Sequence, residues 1–229
     1  MIYFSHRGAN TQRVQNTVPA FALAHQQGAR HFELDVHLLK NGNLAVHHDY
    51  SLKDTAGIDV PLKELSASDL KKYPLKNPFT QEPVYVPLLQ DILPVILPDL
   101  QLLNIELKND NNIYPGLEKA LLSALPQELL PKILFSSFDL ACLQRLRTLA
   151  PQVRIGQLTR NFQVEEALCL QAESVHINHL RFTSQIAQLC HKHQLKIYCY
   201  TVNDKTLCRQ LETAGVDGVF TDDITLLTH

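Results

Sequence analysis

Short apolar runs alternate with segments of helical period along most of the chain. Extended runs are predicted at residues 2–5, 31–37, 44–47, 101–107, 131–136, 153–157, 174–177, 195–201 and 216–220. Most of the gaps between them carry helix start and stop signals. Thr17 precedes a face made by Val18, Phe21 and Ala22, and Gly28 follows its end. Asp139 precedes Leu140, Leu143 and Leu146. Ile186, Ala187 and Cys190 share a face further on, and Asp204 precedes Leu207, Cys208 and Leu211, with Gly215 beyond. Repeated strand–helix units of this kind predict a parallel sheet covered by helices.

One extended run breaks the alternation. Residues 44–47 follow 31–37 across Asn41-Gly42, with no room for a helix. Asn-Gly is a strong hairpin signal, and a parallel return needs a dozen or more residues, so this run is antiparallel to its predecessor. Setting it aside leaves eight strands, the number of a closed (β/α)8 TIM barrel. The expectation is therefore an α/β barrel with a hairpin after the second strand; an open doubly wound sheet is the alternative. Residues 50–86 carry several Pro, Lys and Asp and little periodicity, and are read as a small insertion at one rim. Residues 1–229 are then a single domain.

Composition narrows the class. The 229 residues are 45% hydrophobic and 19% charged, with a formal charge of −2. That balance gives no basic footprint for nucleic acid and no polybasic surface for membranes. No apolar run approaches the roughly 18 residues of a membrane helix, so no stable membrane insertion is expected. The start MIYFSHRG lacks the parts of a signal peptide. The five Cys, with no two-residue gap between any pair, are read as reduced thiols. Together these point to a cytoplasmic location.

In such barrels the C-terminal strand ends hold the chemistry. Here those ends offer His6, Arg7, Glu33, Asp35, Glu106 and Lys108, then Ser136, Ser137, Asn178, Asn203, Thr221 and Asp222. Glu33 and Asp35 lie two apart, hence on one strand face. Adjacent carboxylates repel unless a cation lies between them. With Glu106 in the matching LNIELK run, three carboxylates and no Cys favour one hard divalent cation, Mg²⁺ or Ca²⁺. The alternative is that each acid caps a helix or pairs with a Lys or Arg. If Asn41 and Gly42 form a two-residue loop, paired positions sum to 83, so Asp35 faces His48 and His47 points away. Two His, Arg7, Lys108 and a carboxylate-held cation form a phosphoester-cleaving set. The Arg fork suits phosphate oxygens, one His takes the nucleophile's proton and the other protonates the leaving alkoxide.

SHRGAN at 5–10, FELDVHLLKNGNLAVHHD at 32–49, IELK at 105–108, SSFD at 136–139, YTVND at 200–204 and VDGVFTDD at 216–223 run in order through nearly the whole chain. On these motifs the sequence resembles the glycerophosphodiester phosphodiesterase family. The resemblance implies catalytic His6 and His48, metal ligands Glu33, Asp35 and Glu106, and Arg7 and Lys108 against the phosphate. It implies metal-dependent hydrolysis of small glycerophosphodiesters, the deacylated phospholipids, to glycerol 3-phosphate and an alcohol.

The chain departs from the family pattern twice. Val14-Gln15-Asn16-Thr17 stands where the family carries Pro-Glu-Asn-Thr, and Tyr200 stands where Trp is frequent. A second reading is a lysophospholipase D-like activity on a monoacyl phospholipid. It needs an apolar groove at the mouth, for which Val84, Val86 and Leu88 are candidates, although a plain helix lead-in explains them too. A third is a barrel that only binds a phosphorylated metabolite.

Overall fold

The computed structural model describes residues 1–227. Its strands are β1 (Ile2–His6), β2 (His31–Leu38), β3 (Leu44–Val46), β4 (Leu102–Leu107), β5 (Ile133–Ser137), β6 (Arg154–Thr159), β7 (Ser174–Asn178), β8 (Lys196–Tyr200) and β9 (Gly218–Thr221). All but β3 pair in parallel, in the order β1-β9-β8-β7-β6-β5-β4-β2, and β1 pairs again with β2. That last pairing closes an eight-stranded (β/α)8 barrel, as the strand count predicts. Among the described residues no helix is long and apolar enough to cross a membrane.

The closed sheet explains why its strands are buried throughout yet mix apolar with charged residues. Successive side chains alternate between the outer and inner faces. Phe32, Leu34 and Val36 of β2 and Leu103, Ile105 and Leu107 of β4 join the outer core, together with Phe21, Ile92, Leu117 and Leu121 of the surrounding helices. The alternate positions, Glu33, Asp35, Asn104 and Glu106, are equally buried but polar. A small inner cluster of Phe4, Leu102, Leu134, Tyr198 and Phe220 stands apart from that outer core.

Local signals place the helices. Asp139 Oδ1 accepts from Cys142 N at 3.1 Å, and Asp204 Oδ1 accepts from Leu207 N at 2.7 Å, so both cap as predicted. Thr17 precedes the helix Val18–Gln26, but its hydroxyl donates to the Val14 carbonyl and leaves the helix end uncapped by side chain.

The hairpin register differs by one residue from the prediction. Val36 pairs with Val46, His37 with Ala45 and Leu38 with Leu44, so positions sum to 82. Leu39 N donates to Asn43 O, and Gly42, at φ +83°, closes a three-residue loop that begins at Lys40. A glycine in the left-handed region is what this longer hairpin loop requires. Residues 50–86 hold more structure than their composition suggests. Leu52, Leu62, Leu65, Leu70, Leu75 and Val86 bury one another against Leu39 and Ala45 of the hairpin.

Gly156 of β6 lies against the His176 ring of the neighbouring strand β7. A Cβ at this position would lie 2.4 Å from His176 Nε2 and 2.9 Å from Ser174 Oγ. Gly156→Ala is therefore expected to cost about 1–3 kcal/mol, the usual cost of overpacking. Thermal unfolding checks it; a midpoint equal to wild type would mean that His176 has room to move.

Candidate active site

At the C-terminal mouth of the barrel the strand register assembles an acidic centre. His6 lies beside Glu33 in the β1–β2 pairing, and Asp35 beside Glu106 in the β2–β4 pairing. One carboxylate oxygen from each of Glu33, Asp35 and Glu106 falls within 4.8 Å of the others, and all three residues are buried. Burial, and then the neighbouring Asp35, raise the Glu33 carboxyl well above the usual range; burial also raises Glu106. Asp35 behaves oppositely: burial pulls its pKa up, but Arg7 and Lys108 outweigh this and hold it down.

The surrounding contacts are specific. Arg7 Nε lies 3.2 Å from Asp35 Oδ2, and Lys108 Nζ lies 2.9 Å from Glu106 Oε1 and 3.6 Å from Asp35 Oδ1. Asn16 Nδ2 donates to Asp35 Oδ2 at 2.7 Å, while Asp35 Oδ1 accepts no hydrogen bond. A buried carboxylate oxygen left without a donor, inside a trio of crowded carboxylates, fits a hard cation with oxygen ligands.

Both histidines are held by carboxylates. His6 Nδ1 lies 2.6 Å from Asp222 Oδ1, and His6 Nε2 lies 3.8 Å from Glu33 Oε2. Asp222 is fixed in turn by the side-chain amides of Asn10 and Asn203. One carboxylate thus ties together the SHRGAN, YTVND and VDGVFTDD motifs. His48 Nδ1 lies 2.7 Å from Asp49 Oδ1. Burial lowers both imidazoles below their ordinary pKa; Arg7 adds to this at His6, while Asp35 opposes it at His48.

His48 reaches the mouth by a different route from the predicted cross-strand pairing. In the observed register Asp35 faces His47, whose N–H donates to the Asp35 carbonyl at 3.1 Å. The ladder stops at Val46, the chain bends, and His48 enters the cavity while His47 turns to Thr55, 3.2 Å away. A one-residue slip would have sent His48 to the wrong face only if the strand had continued.

These groups open into a cavity of about 540 Å³ lined by His6, Arg7, Glu33, His48, Glu106 and Lys108. Gly8, just past β1, makes the arrangement possible. Its φ is +82°, and a Cβ there would lie 2.7 Å from the Ala20 backbone. Gln15, where the family carries Glu, keeps an orienting contact: its Oε1 accepts from Arg7 Nη1 at 2.8 Å. Val84 and Leu88 line a separate cavity that shares no residue with this one, Val86 packs into the small core of the insertion, and Leu88 leads into the helix Leu89–Ile96. They form no groove at the mouth.

Asn10, Asn16 and Asp49, which hold groups of this centre in place, are not among the candidates that the strand ends offer, and Asp222 and Asn203 are offered there without a role. Asn10 and Asp49 sit inside the quoted motifs, and that was the available signal.

The sequence profile of the Glycerophosphoryl diester phosphodiesterase family matches residues 6–226. The chain belongs to that family. It is 31% identical to a glycerophosphodiester phosphodiesterase of Caldanaerobacter subterraneus over 97% of this chain and 94% of the relative. It is 32% identical to one of Bacillus altitudinis over 96% and 93%. The fold superposes with a TM-score of 0.87 on an Oleispira antarctica phosphodiesterase in complex with its product sn-glycerol-3-phosphate, at 26% identity over 100% of this chain and 96% of the other. The protein is thus an enzyme of the glycerophosphodiester phosphodiesterase type.

Proposed function

We propose that the enzyme hydrolyses small glycerophosphodiesters to glycerol 3-phosphate and an alcohol, with Glu33, Asp35 and Glu106 holding one divalent cation, Mg²⁺ or Ca²⁺. The observation that carries this reading is the convergence of two carboxylate-held histidines, two cationic side chains and three crowded carboxylates, of which Glu33 and Glu106 line the same cavity as the histidines and Asp35 is buried behind them. The product found in the Oleispira antarctica enzyme supports the substrate class. When bound, the cation supplies Lewis-acid withdrawal of charge from the ester phosphate and offsets the repulsion among the carboxylates.

The remaining work falls to side chains. Arg7 and Lys108 neutralise the phosphate and the charge it gains in the transition state. His6, with Nδ1 engaged by Asp222, keeps Nε2 for the substrate, and His48, with Nδ1 engaged by Asp49, keeps its Nε2 likewise; both residues line the cavity. One imidazole takes the nucleophile's proton and the other delivers a proton to the leaving alkoxide.

The test is direct. Purified protein with glycerophosphoglycerol and Mg²⁺ or Ca²⁺ releases glycerol 3-phosphate; a chelator abolishes release, and added metal restores it. Inactivity toward several diesters with every divalent metal would overturn the reading. Lysophosphatidylcholine cleaved faster than glycerophosphocholine would favour lysophospholipase D-like activity instead. A mouse lysophospholipase D matches over only 48% of this chain.

A further inference from the structure

The residues assigned above to catalysis and phosphate binding come from one half of the barrel rim, β1, β2, β4 and the turn after β3. The cavity extends further. It crosses the mouth to the half built by β5 to β8, where Phe138, Leu158, Arg160, His176, Tyr200 and Thr201 line it. His176 is fully buried, and burial pushes its imidazole down to about 3, so it is neutral near pH 7. Among the described residues Arg160 is therefore the one charged group this half presents to the cavity.

The Arg160 guanidinium is held without being neutralised. It lies over the Phe138 ring, 4.2 Å from the centroid. Phe138 in turn meets Tyr200 edge to face, with centroids 6.2 Å apart and planes at 88°. Arg181 anchors the loop after β6 by donating to the Arg160 carbonyl at 2.7 Å and to Asn161 Oδ1 at 3.0 Å. Among the described residues neither guanidinium pairs with a carboxylate. Burial raises the Tyr200 phenol above its ordinary pKa, Glu106 adds to this, and Arg160 and Arg181 oppose it.

The geometry has a chemical consequence. The ring occupies one face of the guanidinium and leaves its in-plane N–H donors free, the arrangement that grips a carboxylate or phosphate through two hydrogen bonds. A quaternary ammonium laid here would meet a like charge and find the Phe138 face already covered. The acids of the cavity wall lie on the other half: Glu33 and Glu106 come from β2 and β4, Asp49 and Asp54 follow β3, and Asp110 follows β4.

We infer that the β5–β8 half of the cavity is a subsite for an oxyanion, a carboxylate or second phosphate, on the alcohol portion of the diester, and that Arg160 is the residue that selects it. The inference rests on the function proposed above and names its preferred substrates: diesters of anionic alcohols over glycerophosphocholine.

Steady-state kinetics test it in wild type, Arg160→Met and Arg160→Lys. The substrates are glycerophosphocholine, glycerophosphoglycerol, glycerophosphoglycerate and the terminal phosphomonoester of glycerophosphoglycerol. Wild type is expected to favour the two anionic diesters over glycerophosphocholine by roughly tenfold in kcat/KM, the worth of one charge-assisted contact. The difference should lie mostly in KM and shrink with salt. Arg160→Met collapses the ratio, and Arg160→Lys restores part of it. A gain confined to one anionic substrate supports the subsite and identifies its oxyanion. A ratio unmoved by Arg160→Met overturns the inference while leaving the proposed function intact. If no diester is turned over, the proposed function fails. Calorimetry with 1,3-propanediol bisphosphate against glycerol 3-phosphate then decides the subsite alone. Tighter binding of the bisphosphate, lost in Arg160→Met, supports it; equal binding overturns it.

Discussion

Alanine at His6 or at His48 is expected to lower turnover of a glycerophosphodiester by at least about a hundredfold, the ordinary worth of positioned acid–base catalysis. Each ring has one nitrogen engaged by a carboxylate, at 2.6 Å for His6 and 2.7 Å for His48, which fixes its orientation and leaves the other nitrogen for the substrate. Neither ring belongs to the apolar clusters, so thermal unfolding should change far less than turnover does. The two roles separate by leaving group. A diester that expels an acidic phenol needs no proton at the departing oxygen. The variant lacking the general acid should recover most of its rate on that substrate; the variant lacking the general base should not. Near-normal turnover by either variant on a glycerophosphodiester would remove that histidine from the mechanism.

Much of this site was legible in the sequence because the barrel converts strand position into spatial position. Glu33 and Asp35 share a face by the two-residue period, and Glu106 joins them because the β2–β4 register sets Asp35 beside it. The eight-strand count needed only the recognition that residues 44–47 form a hairpin return. What stayed hidden depended on backbone detail. The hairpin loop holds three residues because Gly42 takes the left-handed conformation, and nothing in Asn-Gly separates that geometry from a two-residue turn. His48 reached the cavity through a bend that follows the ladder, which period-two reasoning does not describe. Asp222 lies 216 positions from His6, so its contact with the imidazole arises only from closure of the barrel between β9 and β1. The small core of residues 50–86 was hidden by its Lys, Asp and Pro content, since its leucines follow neither helical nor strand period.

The second large effect is expected at the acidic centre, and its two parts have different signs. Without a cation, Glu33 is a buried carboxyl crowded by Asp35, with its pKa raised well above the ordinary range by burial first and then by that neighbour. Glu33→Gln removes the crowded charge, keeps the side-chain shape, and keeps an oxygen to accept from Arg7 N, which now donates to Glu33 Oε2 at 3.2 Å. The metal-free variant should therefore unfold no earlier than metal-free wild type. Added Mg²⁺ or Ca²⁺ should separate the two proteins. At about a hundred times its dissociation constant, a ligand specific to the folded state stabilises by about 2.7 kcal/mol. For a chain of this size that is a rise in Tm of roughly 5–10 °C. Wild type should show such a rise; Glu33→Gln should lose most of it and lose turnover at the same metal concentration. The contrast matters because a carboxylate that served only to pair with Arg7 would give the reverse pattern, destabilising the metal-free variant and leaving the response to metal intact. A full metal-dependent rise in Tm for Glu33→Gln would mean that the ion is held elsewhere than among Glu33, Asp35 and Glu106.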